Sequence, residues 1–174
     1  MKTLLTPISN ETFNDLVKVK FSNINEGFNK FVNSSLTPTQ HDKEINEKLF
    51  IDFITKVFYE NNNQCIIDLY LCNLSPEDKD YLISLLDEND RATFKLIDKD
   101  YDLKTVYFKL TNEDLIPFIT RLSTREYFFT TFYFYRKPMT IWGNYNFNFP
   151  CFFENQEHKN FYETLASYFN LSLQ

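Results

Sequence analysis

Gln64-Cys65-Ile66-Ile67-Asp68-Leu69-Tyr70-Leu71-Cys72, followed at once by Ser75-Pro76-Glu77-Asp78, is the stretch on which the fold turns. The first nine residues are short, β-branched near their start and bounded by polar sequence, which predicts a strand. The next four predict a helix opening: Ser75 as N-cap, Pro76 at the first helical position, and two carboxylates in the first turn, where they meet the positive end of the backbone dipole. Tyr81, Leu82, Leu85 and Leu86 supply that helix with a buried face. Ala92–Ile97 and Lys104–Leu110 then read as two strands of a hairpin joined by Asp98-Lys99-Asp100-Tyr101-Asp102. A helix opening near Asp114 follows, because Pro117 is tolerated only in a first turn. It buries Leu115, Ile116, Ile119 and Leu122 and leads into the aromatic strand Tyr127–Tyr135.

Taken in order, residues 64–135 read β-α-β-β-α-β, the order of the ferredoxin-like split βαβ motif. Working outward, Phe13, Leu16, Val17, Phe21, Ile24, Phe28, Phe31 and Val32 recur at helical spacing, as one bent helix or two short ones. Thr37-Pro38 opens a second helix whose apolar stripe runs through Ile45, Leu49, Phe50, Phe53, Ile54, Val57 and Phe58 and stops near Glu60. Beyond the core, Met139–Trp142 and Tyr145–Phe153 read as a further hairpin, and Glu157–Phe169 as a closing helix. The expectation is a single α+β domain over residues 1–174: N-terminal helices in 1–62, the core in 64–135, and a hairpin plus helix in 139–174. Its sheet is antiparallel or mixed, with helices chiefly on one face.

Composition narrows the function classes. With 43% apolar and 24% charged residues in 174, the chain is an ordinary globular one, able to bury roughly 70% of its unfolded surface without a disulfide or structural metal. Gly27 and Gly143 are the only glycines, where about 12 is usual, so phosphate-cradling glycine loops and the GxSxG elbow are excluded. Two histidines, His41 and His158, are too few for a multi-histidine metal centre, and no cofactor is expected. Cys65, Cys72 and Cys151 form an odd set in apolar surroundings, as reduced thiols do. The N-terminal residues lack the apolar core of a signal peptide, and no run of about 18 apolar residues exists. These features predict a cytoplasmic protein.

The net charge is −6. Residues 75–102 hold nine carboxylates against four cations, a local balance of −5, which repels phosphate backbones and attracts cationic surfaces. Within them, Asp98-x-Asp100-x-Asp102 has the opening spacing of a calcium loop but has Leu103 where Gly is needed and Lys109 where Glu is needed. It therefore reads as an Asp-rich turn.

Three further groups carry site chemistry. Arg125–Phe132 matches the RNA-recognition RNP1 pattern at its basic and aromatic positions and loses both small positions, to Glu126 and Phe128. Against a negative chain these aromatics read as core. Glu154, Glu157 and His158 at the last helix, with His41, Asp42 and Glu44 at the second, read as polar helix starts. In the run Trp142–Pro150, aromatic residues alternate with Asn144, Asn146 and Asn148, which as a strand would show a ladder of amides. Pro150 argues for an edge, and Arg121, Arg125, Arg136 and Lys137 make the C-terminal half more basic.

These features predict a non-enzymatic interaction protein that masks a basic partner. Its contact residues are Asp87, Glu88, Asp90, Asp98, Asp100 and Asp102, or the edge of Trp142, Asn144, Asn146 and Asn148. In size, charge and lack of a catalytic signature the chain resembles the immunity proteins that neutralise bacterial toxins, a likeness of general type that no motif carries. Its Asn-, Lys-, Ile- and Phe-rich composition suits an AT-rich bacterial genome. The alternatives are a small-molecule-binding protein or enzyme with an aromatic-lined pocket, and then an RNA-binding module.

Overall fold

The computed structural model describes residues 5–100 and 105–174, with residues 99 and 100 by backbone alone. In chain order its regular elements are β1 (Leu5–Pro7), α1 (Asn10–Leu16), α2 (Ile24–Lys30), β2 (Val32–Pro38), α3 (Lys43–Glu60), β3 (Cys65–Asp68), α4 (Pro76–Leu85) and α5 (Glu88–Asp100). There follow β4 (Tyr107–Leu110), α6 (Ile116–Thr124), β5 (Thr131–Phe134), β6 (Met139–Trp142), β7 (Phe149–Phe153), α7 (Gln156–Ser167) and β8 (Leu171–Leu173). The strands form one sheet in the order β1-β4-β3-β5-β6-β7-β2-β8, with every described pair antiparallel. The fold is α+β.

The ferredoxin-like order is not what forms. Ala92–Ile97, expected as a strand, lies inside α5, so two helices separate β3 from β4 and those strands pair directly. Asp87 decides this locally: its carboxylate accepts the Asp90 N–H at 2.9 Å and so caps α5. Phe94 and Ile97, three residues apart, are then buried on one face of the helix. The expected opening at Thr37-Pro38 is likewise the end of β2, and α3 begins after Asp42, which caps the Ile45 N–H at 3.0 Å. The pairing that makes 32–38 a strand is non-local, supplied by β7 on one side and β8 on the other.

Other expectations hold with shorter bounds. Ser75 caps α4 with Pro76 in its first turn. The N-terminal periodicity resolves into two short helices, and Val32 already belongs to β2. Residues 70–73 are a 3-10 turn, so β3 ends at Asp68. The chain returns after α7 into β8, a strand absent from the sequence reading. Pro150 is not on an edge strand, since β7 lies between β6 and β2. Its opposite residue, Ser35, exchanges both backbone hydrogen bonds with Gln174, and the β6 register ends at Ile141–Cys151. Its missing N–H therefore falls just past a ladder.

Alternation sorts the sheet into two unequal faces. Cys65, Ile67, Phe108, Phe132, Phe134, Ile141, Cys151 and Phe153 point toward α3–α7 and form the main core with Phe50, Phe53, Phe58, Ile119 and Tyr162. Ile66, Asp68, Tyr107, Thr131, Tyr133, Thr140, Trp142 and Phe152 alternate with them, on the other face. That face is covered by α1, through Phe13 and Val17, then by Phe21 and α2. Gly27 lets α2 lie this close, because a Cβ there would stand 2.9 Å from the Phe21 ring and 3.0 Å from the Phe152 ring. The cover is partial, and the candidate site lies where it stops.

Candidate functional site

Beside α1 and Phe21, the sheet's second face opens into a cleft of about 330 Å³ lined by Phe21, Ser22, Asp68, Tyr70, Tyr107, Phe129, Thr131, Tyr133, Trp142 and Gly143. Asp68 ends β3 on that face and is only 3% exposed. Its Oδ1 accepts the Thr131 N–H at 2.7 Å and its Oδ2 accepts the Tyr133 hydroxyl at 3.1 Å. The register of β3 and β5 ends at Ile67–Phe132, so the carboxylate replaces the next ladder bond. Among the described residues no Lys, Arg or His forms an ion pair with Asp68. Burial pushes its pKa up to about 6, against the hydrogen bonds from Thr131 and Tyr133, which pull it down.

The walls are aromatic. Phe21 stacks on Trp142 with ring centroids 5.6 Å apart, and Tyr107 is held by a stacked Phe13 at 3.7 Å. Phe13 also meets the Tyr133 ring edge-on at 5.0 Å. Burial raises the pKa of the Tyr70 and Tyr107 hydroxyls, that of Tyr70 to about 12. Gly143 closes the floor, where a Cβ would lie 2.4 Å from Ser123 Oγ and 2.6 Å from the Thr130 carbonyl oxygen. At the bottom is thus a carboxylate met by uncharged donors, and around it are neutral hydroxyls and π-systems. Such a site can hold a hydrogen-bond donor or a cation, or keep a proton near neutral pH.

The residues singled out from sequence are dispersed. Asp90 is buried and bound in a two-pronged pair to Arg121, at 2.7 and 2.5 Å. Asp87 caps α5 and meets Arg125 at 3.2 Å, and the Asp90 N–H it accepts holds its pKa below the usual carboxylate value. Asp98 pairs with Lys79 at 2.8 Å, across to α4. Glu88 is exposed at the start of α5. Asp100 ends α5, its side chain outside the described residues, as is all of Asp102.

Of the expected edge contacts Trp142, Asn144, Asn146 and Asn148, Trp142 alone lines the cleft, next to Gly143. The amide ladder does not form: residues 145–147 make a 3-10 turn in which Asn146 and Phe147 have φ of 57° and 51°, and Asn144 donates to the Asn148 carbonyl at 3.1 Å. In the RNP1-like segment Arg125 is clamped by Glu47 with two 2.8 Å bonds, Phe132 is in the main core, and Phe129 is the one aromatic that reaches the cleft, beside Thr131. His158 meets Glu154 at 3.7 Å, and Lys18 takes the same carboxylate at 3.2 Å. Among the described residues no three His, Cys, Asp or Glu side chains converge as a metal site would require. Of the tyrosines in the aromatic stretch Tyr127–Tyr135, Tyr133 lines the cleft, while Tyr135 donates to Gln64 and Tyr127 packs on the main core.

Asp68, Tyr70 and Tyr107 escaped the sequence reading. The available signal was Asp68 itself, a carboxylate inside Cys65-Ile66-Ile67-Asp68-Leu69, where burial would demand a partner. No family model, curated protein or solved structure matches the chain. Its functional reading therefore rests on this chemistry. Among the described residues no helix is long and apolar enough to cross a membrane.

Proposed function

We propose that the protein binds a small molecule in the Asp68 cleft. The observation that carries this reading is a buried carboxylate with no counter-charge among the described residues, opening into an aromatic-walled space of about 330 Å³. That is near the lower end of ligand pockets, roughly 300–1,000 Å³, which combine apolar walls with a few convergent polar groups. Trp142, the single tryptophan of the chain, lines the cleft and supplies the test. Hits from a fragment collection should change its emission saturably, and Phe129→Ala should weaken them several-fold. Hits that bind without touching Trp142 emission, or none at all, would remove the reading.

A second reading keeps the acidic helical face as the contact for a basic protein, as an immunity-type inhibitor would use it. Its support is Tyr81, 67% exposed on α4 beside the exposed Glu77 and Asp80, with exposed Glu88 on α5. Asp87, Asp90 and Asp98 contribute less, being spent on Arg125, Arg121 and Lys79. A basic protein captured by the wild type and lost to the combined Glu77→Gln, Asp80→Asn, Glu88→Gln variant would establish it, and equal capture by both would end it. Three unpaired thiols, Cys65 and Cys151 buried among them, support a reducing, cytoplasmic compartment for either reading.

A further inference from the structure

We infer that the ligand of the Asp68 cleft is an organic monocation carrying N–H donors, a primary amine on an aromatic or compact apolar frame. This rests on the cleft being a ligand site and says what kind of ligand it selects. The donors directed at the Asp68 carboxylate, from Thr131 and Tyr133, are uncharged, so they leave its charge uncompensated when it is ionised. A buried charge with no opposite charge beside it is costly unless something supplies one. Among the described residues nothing in the cleft does, because its lining there holds no Lys, Arg or His.

The remaining walls point the same way. Phe21, Phe129, Trp142 and the three tyrosines present aromatic rings, whose faces attract cations most strongly where water is excluded. The hydroxyls of Tyr70 and Tyr107 accept N–H donors as well. An anion would meet the Asp68 carboxylate with no basic group to offset it. The neighbouring clefts differ in kind: the one beyond Phe21 and Tyr107 contains Lys20, Glu26 and Lys30, and the one between α3 and α6 contains Lys43 and Arg125. Carboxylate without cation is a property of the Asp68 cleft among the three. Its volume fits a single ring with a short arm.

The probe is 2-phenylethylamine, titrated into the full chain and followed by Trp142 emission and calorimetry. Two molecules of the same shape serve as comparisons, the neutral 2-phenylethanol and the anionic 3-phenylpropionate. The amine should bind at least about tenfold more tightly than the alcohol, and the anion not at all, since pairing with the carboxylate and contact with the rings favour the cation alone. Asp68→Asn should bring the amine down to the affinity of the alcohol. If that variant fails to fold, the wild type measured at falling pH serves instead: amine affinity should drop about tenfold per unit below the Asp68 pKa of about 6, with alcohol affinity unchanged. The tyrosines stay protonated throughout that range, and Lys20, Glu26 and Lys30 face the adjoining cleft. Equal binding of amine and alcohol would overturn the inference and leave the cleft a ligand site. Absence of binding by all three would overturn it too, with the fragment titration deciding separately whether the cleft binds anything.

Discussion

The hydroxyl of Tyr133 donates to Asp68 Oδ2 at 3.1 Å, across the end of the β3–β5 pair. Thr131, two residues earlier on β5, donates its backbone N–H to Oδ1 at 2.7 Å. The carboxylate thereby continues a strand pairing that its own backbone leaves off. It holds the cleft's shape and its charge at once, which makes its ionisation a structural event.

That ionisation sets a pH dependence. The Asp68 pKa rises from 3.8 to about 6 on folding. A raised carboxyl pKa contributes stability that is fully present below about pH 4 and is lost as pH climbs through about 6. About two units correspond to about 3 kcal/mol. Because other carboxylates titrate in the same window, the quantity to measure is the stability difference between wild type and Asp68→Asn in urea, from pH 4 to 7. It should shift against the wild type by about that amount. A difference constant with pH would mean that the carboxylate is not buried in solution.

Gly143 makes a second expectation. Gly143→Ala puts a methyl group 2.4 Å from Ser123 Oγ and 2.6 Å from the Thr130 carbonyl oxygen, where Ser123 Oγ already accepts the Thr130 N–H at 3.0 Å. Over-packing of this kind costs about 1–3 kcal/mol. Adding Ser123→Ala should recover only part of it, because the Thr130 carbonyl belongs to the backbone. Full recovery, read by thermal unfolding, would show that the side chain alone sets the limit.

Two carboxylates of α5 should behave differently. Asp90 is 2% exposed and doubly bonded to Arg121, so Asp90→Ala leaves a guanidinium facing a buried gap and should cost about 3–5 kcal/mol. Asp98 pairs with Lys79 where both side chains reach water, so Asp98→Ala should cost less than about 1 kcal/mol. Denaturant midpoints test the contrast. Equal losses would mean that both pairs are solvated.

What the sequence shows and what it hides divide along local and non-local causes. Ser75-Pro76 is legible because cap and first turn are adjacent, and α4 begins there. Thr37-Pro38 misleads because the strand it ends depends on Phe149–Phe153 and Leu171–Leu173, more than 100 residues away. Ala92–Ile97 has the β-branched look of a strand, yet Asp87, five residues earlier, caps it into a helix. The site is hidden for the same reason: Asp68, Tyr107 and Tyr133 stand on three strands that only the register brings side by side. The acidic run 75–102 was conspicuous, while its pairing to Arg121 and Arg125 required a fold to see.

A buried hydroxyl fixes α7. Tyr162 is fully buried, accepts from Asn61 Nδ2 at 3.0 Å and donates to the Lys137 carbonyl at 2.7 Å, while Asn61 Oδ1 accepts the Lys137 N–H at 2.8 Å. One hydroxyl thus ties α7 both to the end of α3 and to the β5–β6 turn. Tyr162→Phe keeps the ring and strands two buried polar groups, at a cost of about 1–3 kcal/mol. Tyr135→Phe removes a hydroxyl from a half-buried bond to Gln64 that water can replace, at less than about 1 kcal/mol. The ratio of the two losses in equilibrium unfolding isolates the value of burial, since the same atom is deleted in each. Equal losses would place the hold on α7 in its apolar contacts, with the Asn61–Tyr162–Lys137 network contributing nothing beyond an exposed hydrogen bond.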